Sequence, residues 1–481
     1  MAQKTVISGQ WQAAGAGLYE YDADVIIIGA GPGGYVCALK LATLGKIVIL
    51  IEKDEVGGTC LNRGCIPTKA LLQSAELFAQ LKAAGDMGIV AEHIRLDTAL
   101  VNARKQKVVD TLVRGVQGLL KTRNVRVLHG EASFLSPRKL RVVLADGAQK
   151  ELAAPAIVIA SGSRAALPPI AGIEGKNIIT STEALDAGSL PKSMAVIGGG
   201  VIGMEIGSAY SDFGVEVTVL EAMPGLLPGM DGEIVKEFTK HAKKKMDIHT
   251  SALVKEISDT ADGQKQLVFE KDGKQSEIRA DKVLLAVGRV PETESLGLDK
   301  AGVLTERGKI PVDENYQTNV QGIYCIGDAN AICMLAHAAS AQGIAVAERL
   351  TGRESHISRK IIPSCVFTDP EIAAVGLTEE QAREQGLEYK TATFPFRANG
   401  RSLVLGKTEG FVKIIGGKKY NEVLGVHIVG PLATELIAEC ALVIQLEGCV
   451  ENIANTIHAH PTVSESIMEA AENWLGGGIN Y

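Results

Sequence analysis

Residues 25–34 read VIIIGAGPGG and residues 195–203 read AVIGGGVIG, and this repeated pattern decides the fold. In each copy an apolar run leads into the spacing G-x-G-x-x-G. A helix-like stretch, a glycine and a second apolar run (KIVILIE or EVTVLE) follow, and each second run ends in an acidic residue. The interval from the first glycine to the acid is 23 residues in both copies, 52 − 29 and 221 − 198. The repetition predicts two strand–turn–helix–strand units of one design.

The glycine spacing has a physical purpose at a dinucleotide site. The first glycine makes the tight turn, the second lets a pyrophosphate approach the backbone, and the third lets helix and strand pack closely. The helix N-terminus favours the phosphate charge, and the acid binds ribose hydroxyls. One copy could be an ordinary glycine turn, but two copies indicate two dinucleotide sites. Their residues are Gly29, Gly31, Gly34 and Glu52 in the first and Gly198, Gly200, Gly203 and Glu221 in the second.

The acid of the second copy indicates which nucleotide binds there. Glu221 is followed by AMPGLL, which contains no arginine. An acid at this position opposes an extra 2′-phosphate, so the second site is expected to take NAD rather than NADP. The first site would then hold a permanently bound dinucleotide, and FAD fits.

Composition and charge exclude several other classes of protein. The chain has 481 residues, 46% hydrophobic but only 4% aromatic, and 53 glycines, which favours α/β layers over a β sandwich. The formal net charge is −7 and there is no basic tract, so nucleic acid is not expected as a partner. Residues 1–23 contain no continuous apolar stretch, so we expect no secretory signal, and the longest apolar run is too short to span a bilayer. We therefore expect a cytoplasmic protein without a membrane span.

Cys60 and Cys65 form a close pair in the segment GGTCLNRGCIPTK (residues 57–69). A helical pattern from Pro67 onward places Cys65 just before a helix N-terminus, where the helix dipole stabilises a thiolate. A structural disulfide here would close a short loop and add about 2 kcal/mol in the chain-entropy model. A zinc site would need further Cys or His at matching spacing, which are absent nearby, and we expect no metal. Two unrelated core cysteines remain an alternative, but beside two dinucleotide sites a redox pair is favoured.

The cysteine segment resembles that of the dihydrolipoamide dehydrogenases, in the flavoprotein disulfide reductase family (class I pyridine nucleotide-disulfide oxidoreductases). The resemblance runs from about residue 24 to the C-terminus and includes ASGS, GGGVIGME, AVGR, CIGDA, MLAHAA and HAHPTVSE. It implies an α/β protein with two Rossmann-like dinucleotide-binding domains and an α+β dimerisation domain. The implied boundaries are an N-terminal extension (1–23), an FAD domain (24–160 and 290–357), an NAD domain (161–289) and an interface domain (358–481).

The resemblance also implies roles for individual residues. The positions that match FAD contacts are Gly29, Gly31, Gly34, Glu52, Lys69, Gly130, Ser161, Gly162, Ser163, Asp328 and Ala336. Those that match NAD contacts are Gly198, Gly200, Gly203, Glu205, Glu221, Val254 and Gly288, and Glu205 would pair with Lys69 near the nicotinamide. In the last motif His460, held by Glu465, would be the general acid–base and act on the disulfide of the partner subunit. His458 is the nearby rival for this role.

The activity implied is the oxidation of protein-bound dihydrolipoyl-lysine through a Cys60–Cys65 disulfide and FAD, with reduction of NAD⁺ to NADH. Cys60 would meet the substrate and Cys65 the flavin, in a homodimer. The partners would be a lipoylated acyltransferase of 2-oxo acid dehydrogenase complexes or the glycine cleavage H protein. An NADPH-dependent glutathione reductase would need basic residues after the second acid, and mercuric reductases usually carry a C-terminal cysteine pair. A regulator or scaffold that keeps the fold without turnover is the alternative from another class.

Overall fold

The computed structural model describes residues 21–186 and 188–480. The predicted N-terminal extension, residues 1–23, therefore lies outside the described residues except for its last three. The described chain divides into two compact units. The first contains the residues up to Pro67, Lys105–Ala165 and Arg289–Ile357, and the second contains Thr68–Arg104, Ala166–Gly288 and the residues from Ser358 onward.

The elements before residue 166 begin with the first copy of the repeat. In chain order they are β1 (Val25–Ile28), α1 (Pro32–Thr43), β2 (Val48–Glu52), α2 (Gly58–Arg63), α3 (Cys65–Lys82), α4 (Thr98–Thr122), β3 (Arg126–Ser136), β4 (Lys139–Leu144), β5 (Gln149–Ala153), β6 (Ala156–Ile159) and β7 (Ser163–Ala165). A short 3₁₀ helix, Ala84–Met87, lies between α3 and α4.

The middle of the chain contains the second copy of the repeat and then returns to the first unit. Its elements are β8 (Ile178–Thr180), α5 (Ser181–Ala184), β9 (Ser193–Ile197), α6 (Val201–Asp212), β10 (Glu216–Leu220), α7 (Gly232–Ala242), β11 (Asp247–His249), β12 (Ala252–Asp259), β13 (Lys265–Lys271), β14 (Lys274–Ala280), β15 (Lys282–Leu285), β16 (Arg289–Pro291), β17 (Ile323–Cys325) and α8 (Ala336–Leu350). Three 3₁₀ helices, Glu294–Leu296, Leu298–Ala301 and Gly327–Asn330, lie between β16 and α8.

The last part of the chain mixes strands and helices, as its sequence predicts. Its elements are β18 (Ser364–Val366), β19 (Glu371–Gly376), α9 (Glu379–Glu384), β20 (Tyr389–Pro395), α10 (Gly400–Leu405), β21 (Phe411–Gly417), β22 (Val423–Gly430), α11 (Ala433–Gln445), α12 (Val450–Ala454) and α13 (Glu465–Leu475). The 3₁₀ helix Phe396–Ala398 follows β20.

The first unit is built on a seven-stranded sheet in the order β17-β6-β1-β2-β3-β4-β5. Its strand β1 lies inside the sheet and pairs in parallel with β2 on one side and β6 on the other. Every residue of β1 and β2 is buried, which is why both strands read as runs of Val, Ile and Leu rather than as alternating patterns, except for Glu52 at the end of β2. The first glycine turn follows directly at the carboxyl end of β1.

The second unit repeats this arrangement and adds antiparallel sheets. Its parallel sheet has the order β11-β10-β9-β15-β8, so β9 lies between β10 and β15 as β1 lies between β2 and β6. The strands β12, β13 and β14 form a three-stranded antiparallel sheet, and β18-β19-β22-β21-β20 form a five-stranded one. The predicted fold class, two Rossmann-like units with an α+β C-terminal region, is confirmed. The domain boundaries, and the nucleotide assigned to each domain, stay predictions.

Candidate functional site

The first glycine turn leaves open space at one position and none at the other two. Gly29 has φ +101°, and a Cβ atom there would lie 2.3 Å from the carbonyl oxygen of Ala160. A Cβ on Gly34 would lie 1.8 Å from the carbonyl oxygen of Gly29. At Gly31 the nearest atom to such a Cβ is 4.0 Å away. The first and third glycines are thus required by the turn itself, and the second leaves room for a ligand to approach the N-terminus of α1.

The second glycine turn has the same geometry. Gly198 has φ +109°, and its Cβ would lie 2.4 Å from the carbonyl oxygen of Ala286. A Cβ on Gly203 would lie 2.0 Å from the carbonyl oxygen of Gly198, whereas nothing lies within 4 Å of one on Gly200. The equivalent open position in two separate turns fits a phosphate-bearing ligand at each of them.

The two acids, Glu52 and Glu221, hold the glycine turns from within the protein. Glu52 accepts hydrogen bonds from the backbone N–H of Ala30 (2.6 Å) and of Asp54 (2.8 Å). Glu221 accepts from the N–H of Gly199 (2.5 Å) and of Met223 (2.6 Å). Both side chains are buried, yet each carboxylate oxygen keeps a second lone pair that a ribose hydroxyl could use. The expected ribose contact stays a prediction, and the structure adds a turn-stabilising role for both acids.

The cysteine pair spans the junction of two helices. Cys60 lies in α2, which the sequence pattern did not indicate, and Cys65 is the first residue of α3. Helix α3 therefore begins two residues before Pro67. Pro67 fits inside its first turn, because the missing N–H of a proline is not needed there. Both cysteines are half-buried, and none of the eight cysteines forms a disulfide among the described residues. The position of Cys65 at the positive end of α3 agrees with the expected stabilisation of a thiolate.

A polar cluster in the first unit contains Ser161, Ser163 and Asp328. The Ser163 hydroxyl donates to the Asp328 carboxylate (2.5 Å), and Arg289 Nε donates to the Ser163 hydroxyl oxygen (2.7 Å). The Ser161 hydroxyl is buried and has no hydrogen-bond partner among residues 21–186 and 188–480. An orphaned buried hydroxyl near an open glycine turn on the same sheet fits a polar group of a bound FAD.

Arg289 is a functional candidate that the sequence reasoning did not single out. Besides Ser163 it interacts electrostatically with Asp328 and Cys65. Burial lowers the pKa of its guanidinium, although Asp328 and Cys65 act to raise that pKa. Since arginine stays protonated even so, Arg289 places a positive charge beside the Cys65 sulfur. One indication of this role is present in the sequence, the motif AVGR, in which an arginine directly follows a glycine after a strand.

Lys69 and Glu205 meet, as the resemblance implies. Lys69 Nζ lies 2.7 and 3.0 Å from the two carboxylate oxygens of Glu205. Glu205, with only 4% of its side chain exposed, also accepts the backbone N–H of Phe367 at 2.9 Å. The Phe367 ring lies under the Lys69 ammonium, with 4.6 Å from Nζ to the ring centroid. Phe367 is therefore a second residue that sequence reasoning missed, and it holds both members of the pair.

His460 and Glu465 also pair, whereas the rival His458 has a different partner. His460 Nδ1 lies 2.9 Å from Glu465 Oε1, and the Thr462 N–H donates to Glu465 Oε2 (2.8 Å). Partial burial alone would raise the pKa of Glu465, but the hydrogen bonds from Thr462 and His460 outweigh it and lower that pKa. An ionised carboxylate only accepts, so His460 Nδ1 donates, and its Nε2 is left for proton exchange.

The exposure of the two histidines separates their roles. The His460 side chain is 79% exposed and can meet a large substrate or another chain. The His458 side chain is 5% exposed and is held by Glu439 at 3.0 Å. A structural role suits His458, and an acid–base role suits His460.

The remaining predicted contact residues lie on three further elements and two loops. Gly130 is in β3, where a Cβ would lie 2.5 Å from the carbonyl oxygen of Val143. Val254 is a buried residue of β12, and Ala336 is the first residue of α8. Gly288 and Gly162 have φ of +118° and +75° with nothing within 4 Å of an added Cβ. The roles of these residues as ligand contacts stay predictions.

No group of three or more His, Cys, Asp and Glu side chains in 21–186 and 188–480 has the arrangement of a metal site. Within the same residues, no helix is both long and apolar enough to cross a membrane.

Comparisons with known proteins match nearly the whole chain. Residues 23–343 match the model of the pyridine nucleotide-disulphide oxidoreductases, and residues 362–471 match the dimerisation domain of that family. A dihydrolipoyl dehydrogenase of Geobacillus stearothermophilus is 43% identical over 466 residues, covering 96% of this chain and 98% of the relative. One of Bacillus subtilis is 43% identical over 468 residues, covering 96% and 99%.

Solved structures agree with the sequence comparison. The HOCl-induced flavoprotein disulfide reductase RclA of Escherichia coli is 31% identical with a TM-score of 0.83, covering 93% of this chain and 99% of that one. LpdA of Mycobacterium tuberculosis is 29% identical with a TM-score of 0.86, covering 93% and 99%.

Proposed function

The chain belongs to the pyridine nucleotide-disulphide oxidoreductase family, and from this premise we propose that it acts as a dihydrolipoyl dehydrogenase. The observation that carries the proposal is the 43% identity to dihydrolipoyl dehydrogenases over 96% of the chain. The enzyme oxidises dihydrolipoyl groups and reduces NAD⁺, using FAD. The chain carries the dimerisation domain of the family, so its working form is a homodimer.

The residues that would hold the two dinucleotides follow from the glycine turns. Gly31 at the start of α1 and the Ser161 hydroxyl would receive FAD, while Gly200 at the start of α6 would receive NAD. When bound, FAD would carry the electron pair from the thiols to NAD⁺ as a hydride. The protein then has to bind, orient and exchange protons.

The dithiol chemistry belongs to the cysteines and a histidine. His460 of the partner subunit would take a proton from one substrate thiol, and the resulting thiolate would attack Cys60 in the Cys60–Cys65 disulfide. This breaks the sulfur–sulfur bond and leaves Cys65 as a thiolate, which the α3 N-terminus and Arg289 stabilise. The second substrate thiol, once deprotonated, attacks the mixed disulfide. The lipoyl disulfide forms as the bond between Cys60 and the first substrate sulfur breaks, and Cys60 leaves with the electron pair of that broken bond and takes up a proton.

Lys69 would contribute a fixed positive charge near the flavin. Glu205 and Phe367 hold its ammonium in one position, so it does not have to be ordered during each turnover. A charge held in advance favours the transfer of negative charge onto a neighbouring ring system.

The test uses purified protein with dihydrolipoamide and NAD⁺. We expect a yellow protein that forms NADH from both, and we expect Cys60→Ser to abolish this reaction. Cys449→Ser is the matched control, because Cys449 is another half-buried cysteine in a different part of the chain. Normal turnover by C60S, or no dithiol-dependent NADH formation by the unaltered protein, would remove the proposal.

The physiological partner is the finer part of the proposal. A lipoylated acyltransferase of a 2-oxo acid dehydrogenase complex or the glycine cleavage H protein would deliver the dithiol, in the cytoplasm. Affinity purification of the C60S homodimer from its native cells, with detection of lipoyl-lysine in the bound fraction, distinguishes them. If neither lipoylated protein is recovered, the assignment of the partner is contradicted, whereas the proposed activity is not.

A further inference from the structure

The second glycine turn is supported by the loop that follows β10. The Gly199 N–H donates to Glu221, and the Gly199 carbonyl oxygen accepts the N–H of Leu227 at 2.9 Å. The Met230 N–H donates back to the Leu227 carbonyl oxygen at 3.2 Å. We call residues 222–230 the turn-supporting loop. Its Leu227 is thus hydrogen-bonded to Gly199, the residue directly before the open position at Gly200.

The turn-supporting loop ends at a fully buried carboxylate. Asp231 is 0% exposed and caps α7 by accepting the N–H of Glu233 at 3.1 Å. It also accepts the backbone N–H of Glu379 at 3.1 Å, at the start of α9. The end of the loop is thus tied both to its own helix and to the C-terminal region of the same unit.

A buried lysine completes the attachment. Lys413 Nζ, in β21, lies 3.1 and 3.2 Å from the two carboxylate oxygens of Asp231. It also lies 2.6 Å from Glu379 and 2.8 Å from Glu233. The Lys413 side chain is only 1% exposed, and a charge taken out of water needs such close partners to be tolerated. The ammonium therefore fixes Asp231 in place from the side of the antiparallel sheet.

The neighbouring strand faces the same region. His427 in β22 is the register partner of Lys413, so both side chains lie on one face of the sheet. His427 helps to line a cavity of about 340 Å³ together with Gly200, Leu227 and Met230. The face of the sheet that holds Asp231 therefore also borders the space beside the open glycine position.

We propose that Lys413 and Asp231 are positioning residues for the second dinucleotide site. The ion pair holds the end of the turn-supporting loop, the loop holds Gly199, and Gly199 sets the approach of a pyrophosphate at Gly200. The inference rests on the proposed function for the identity of the nucleotide. A purely structural role would make the pair matter for stability but not for nucleotide affinity.

The experiment measures binding of ADP-ribose, which carries the pyrophosphate but no nicotinamide, by calorimetry on the flavin-loaded homodimer. The variant is the double change Asp231→Asn and Lys413→Met, which removes both charges and leaves neither one buried alone. We expect roughly tenfold weaker binding. Lys265→Met is the matched control, because Lys265 is also a buried, paired lysine of the second unit, 2% exposed and 2.5 Å from Asp259. Its ADP-ribose affinity should stay unchanged.

A second measurement separates positioning from general damage. Reduction of the bound flavin by dihydrolipoamide without NAD⁺ should proceed in the double variant at the wild-type rate. A folded double variant with unchanged ADP-ribose affinity overturns the inference. If the double variant does not fold, E379Q decides: roughly threefold weaker ADP-ribose binding supports the inference, and unchanged binding overturns it. If the unaltered protein fails to oxidise dihydrolipoamide but the ADP-ribose effect persists, the proposed function fails and this inference stands.

Discussion

His460 can be changed with little effect on folding because its side chain is 79% exposed. We expect His460→Gln to lower dihydrolipoamide turnover by about 10²–10⁴-fold, the usual contribution of a general acid–base. The melting temperature should stay close to that of the unaltered protein. Steady-state assays and thermal unfolding check both statements.

His458→Gln is the control for this change, two residues away in the same motif. It removes a buried group held by Glu439, so it should lower the melting temperature and affect turnover far less. The assignment of His460 is wrong if H458Q is the variant that loses dithiol turnover.

His427 makes stability depend on pH. Burial lowers the pKa of His427 below its ordinary value of 6.5 and outweighs the Leu377 carbonyl and the carboxylates of Asp231 and Glu380, while Lys413 lowers it further. As the pH falls below about 6.5, the unfolded chain therefore binds more protons at His427 than the folded chain does. The stability that the neutral His427 contributes above this pH is lost as the pH falls further. We expect the melting temperature of His427→Gln to fall less than that of the unaltered protein between about pH 7.5 and about pH 5.5. Melting temperatures that fall equally with pH in H427Q and the unaltered protein would contradict this.

Some single residues of the site could be predicted and others could not. Cys60, Cys65, His460 and Glu465 lie in short motifs whose members are close in the chain. Phe367 and Glu205 are separated by 162 residues in the sequence, and Lys413 and Asp231 by 182, so no local pattern predicts either contact. Such pairs depend on tertiary packing, which brings distant elements together.

At the scale of elements, the glycine turn before α6 separates folding from ligand binding. A Cβ atom on Gly200 meets nothing within 4 Å, and the backbone of Gly200 (φ −75°, ψ −177°) has an extended conformation that alanine also adopts. Stability should therefore change by no more than about 0.5 kcal/mol. NADH affinity should fall roughly tenfold or more, because the added methyl occupies the approach of the pyrophosphate.

Gly203→Ala is the contrasting variant in the same turn. Its Cβ would lie 2.0 Å from the Gly198 carbonyl oxygen, so the strand and α6 must separate, at about 1–3 kcal/mol of stability. Calorimetry and chemical unfolding distinguish the two variants. A destabilised G200A with normal NADH affinity would reverse the roles given to the two glycines.

The elements that the sequence predicted best are those in which pattern and packing agree. The buried parallel strands β1 and β9 and the helices after them follow from apolar runs and glycine spacing. The short helix α2 was not predicted, because its six residues include three polar side chains, a glycine and a cysteine and show no apolar period. The packing around α2, rather than its own sequence, therefore favours its helical conformation.

At the scale of the molecule, the duplicated unit made the architecture readable from the sequence. The equal interval of 23 residues in both copies corresponds to two sheets in whose parallel parts β1 and β9 hold equivalent positions. The division into compact units was less accessible, since each unit is assembled from separate stretches of the chain. Chain order alone does not report which stretches pack together.

The homodimer itself can be tested by mixing two inactive chains. C60S lacks the attacked sulfur and H460Q lacks the base, so each homodimer should be inactive. If Cys60 of one chain works with His460 of the other, a mixed dimer contains one intact site, and random exchange of chains should restore about a quarter of wild-type turnover. A mixture of C60S with Cys65→Ser should restore none, because both changes damage the same half of each site. Mixed dimers purified by two different affinity tags and found inactive would show that His460 does not serve the partner's cysteines.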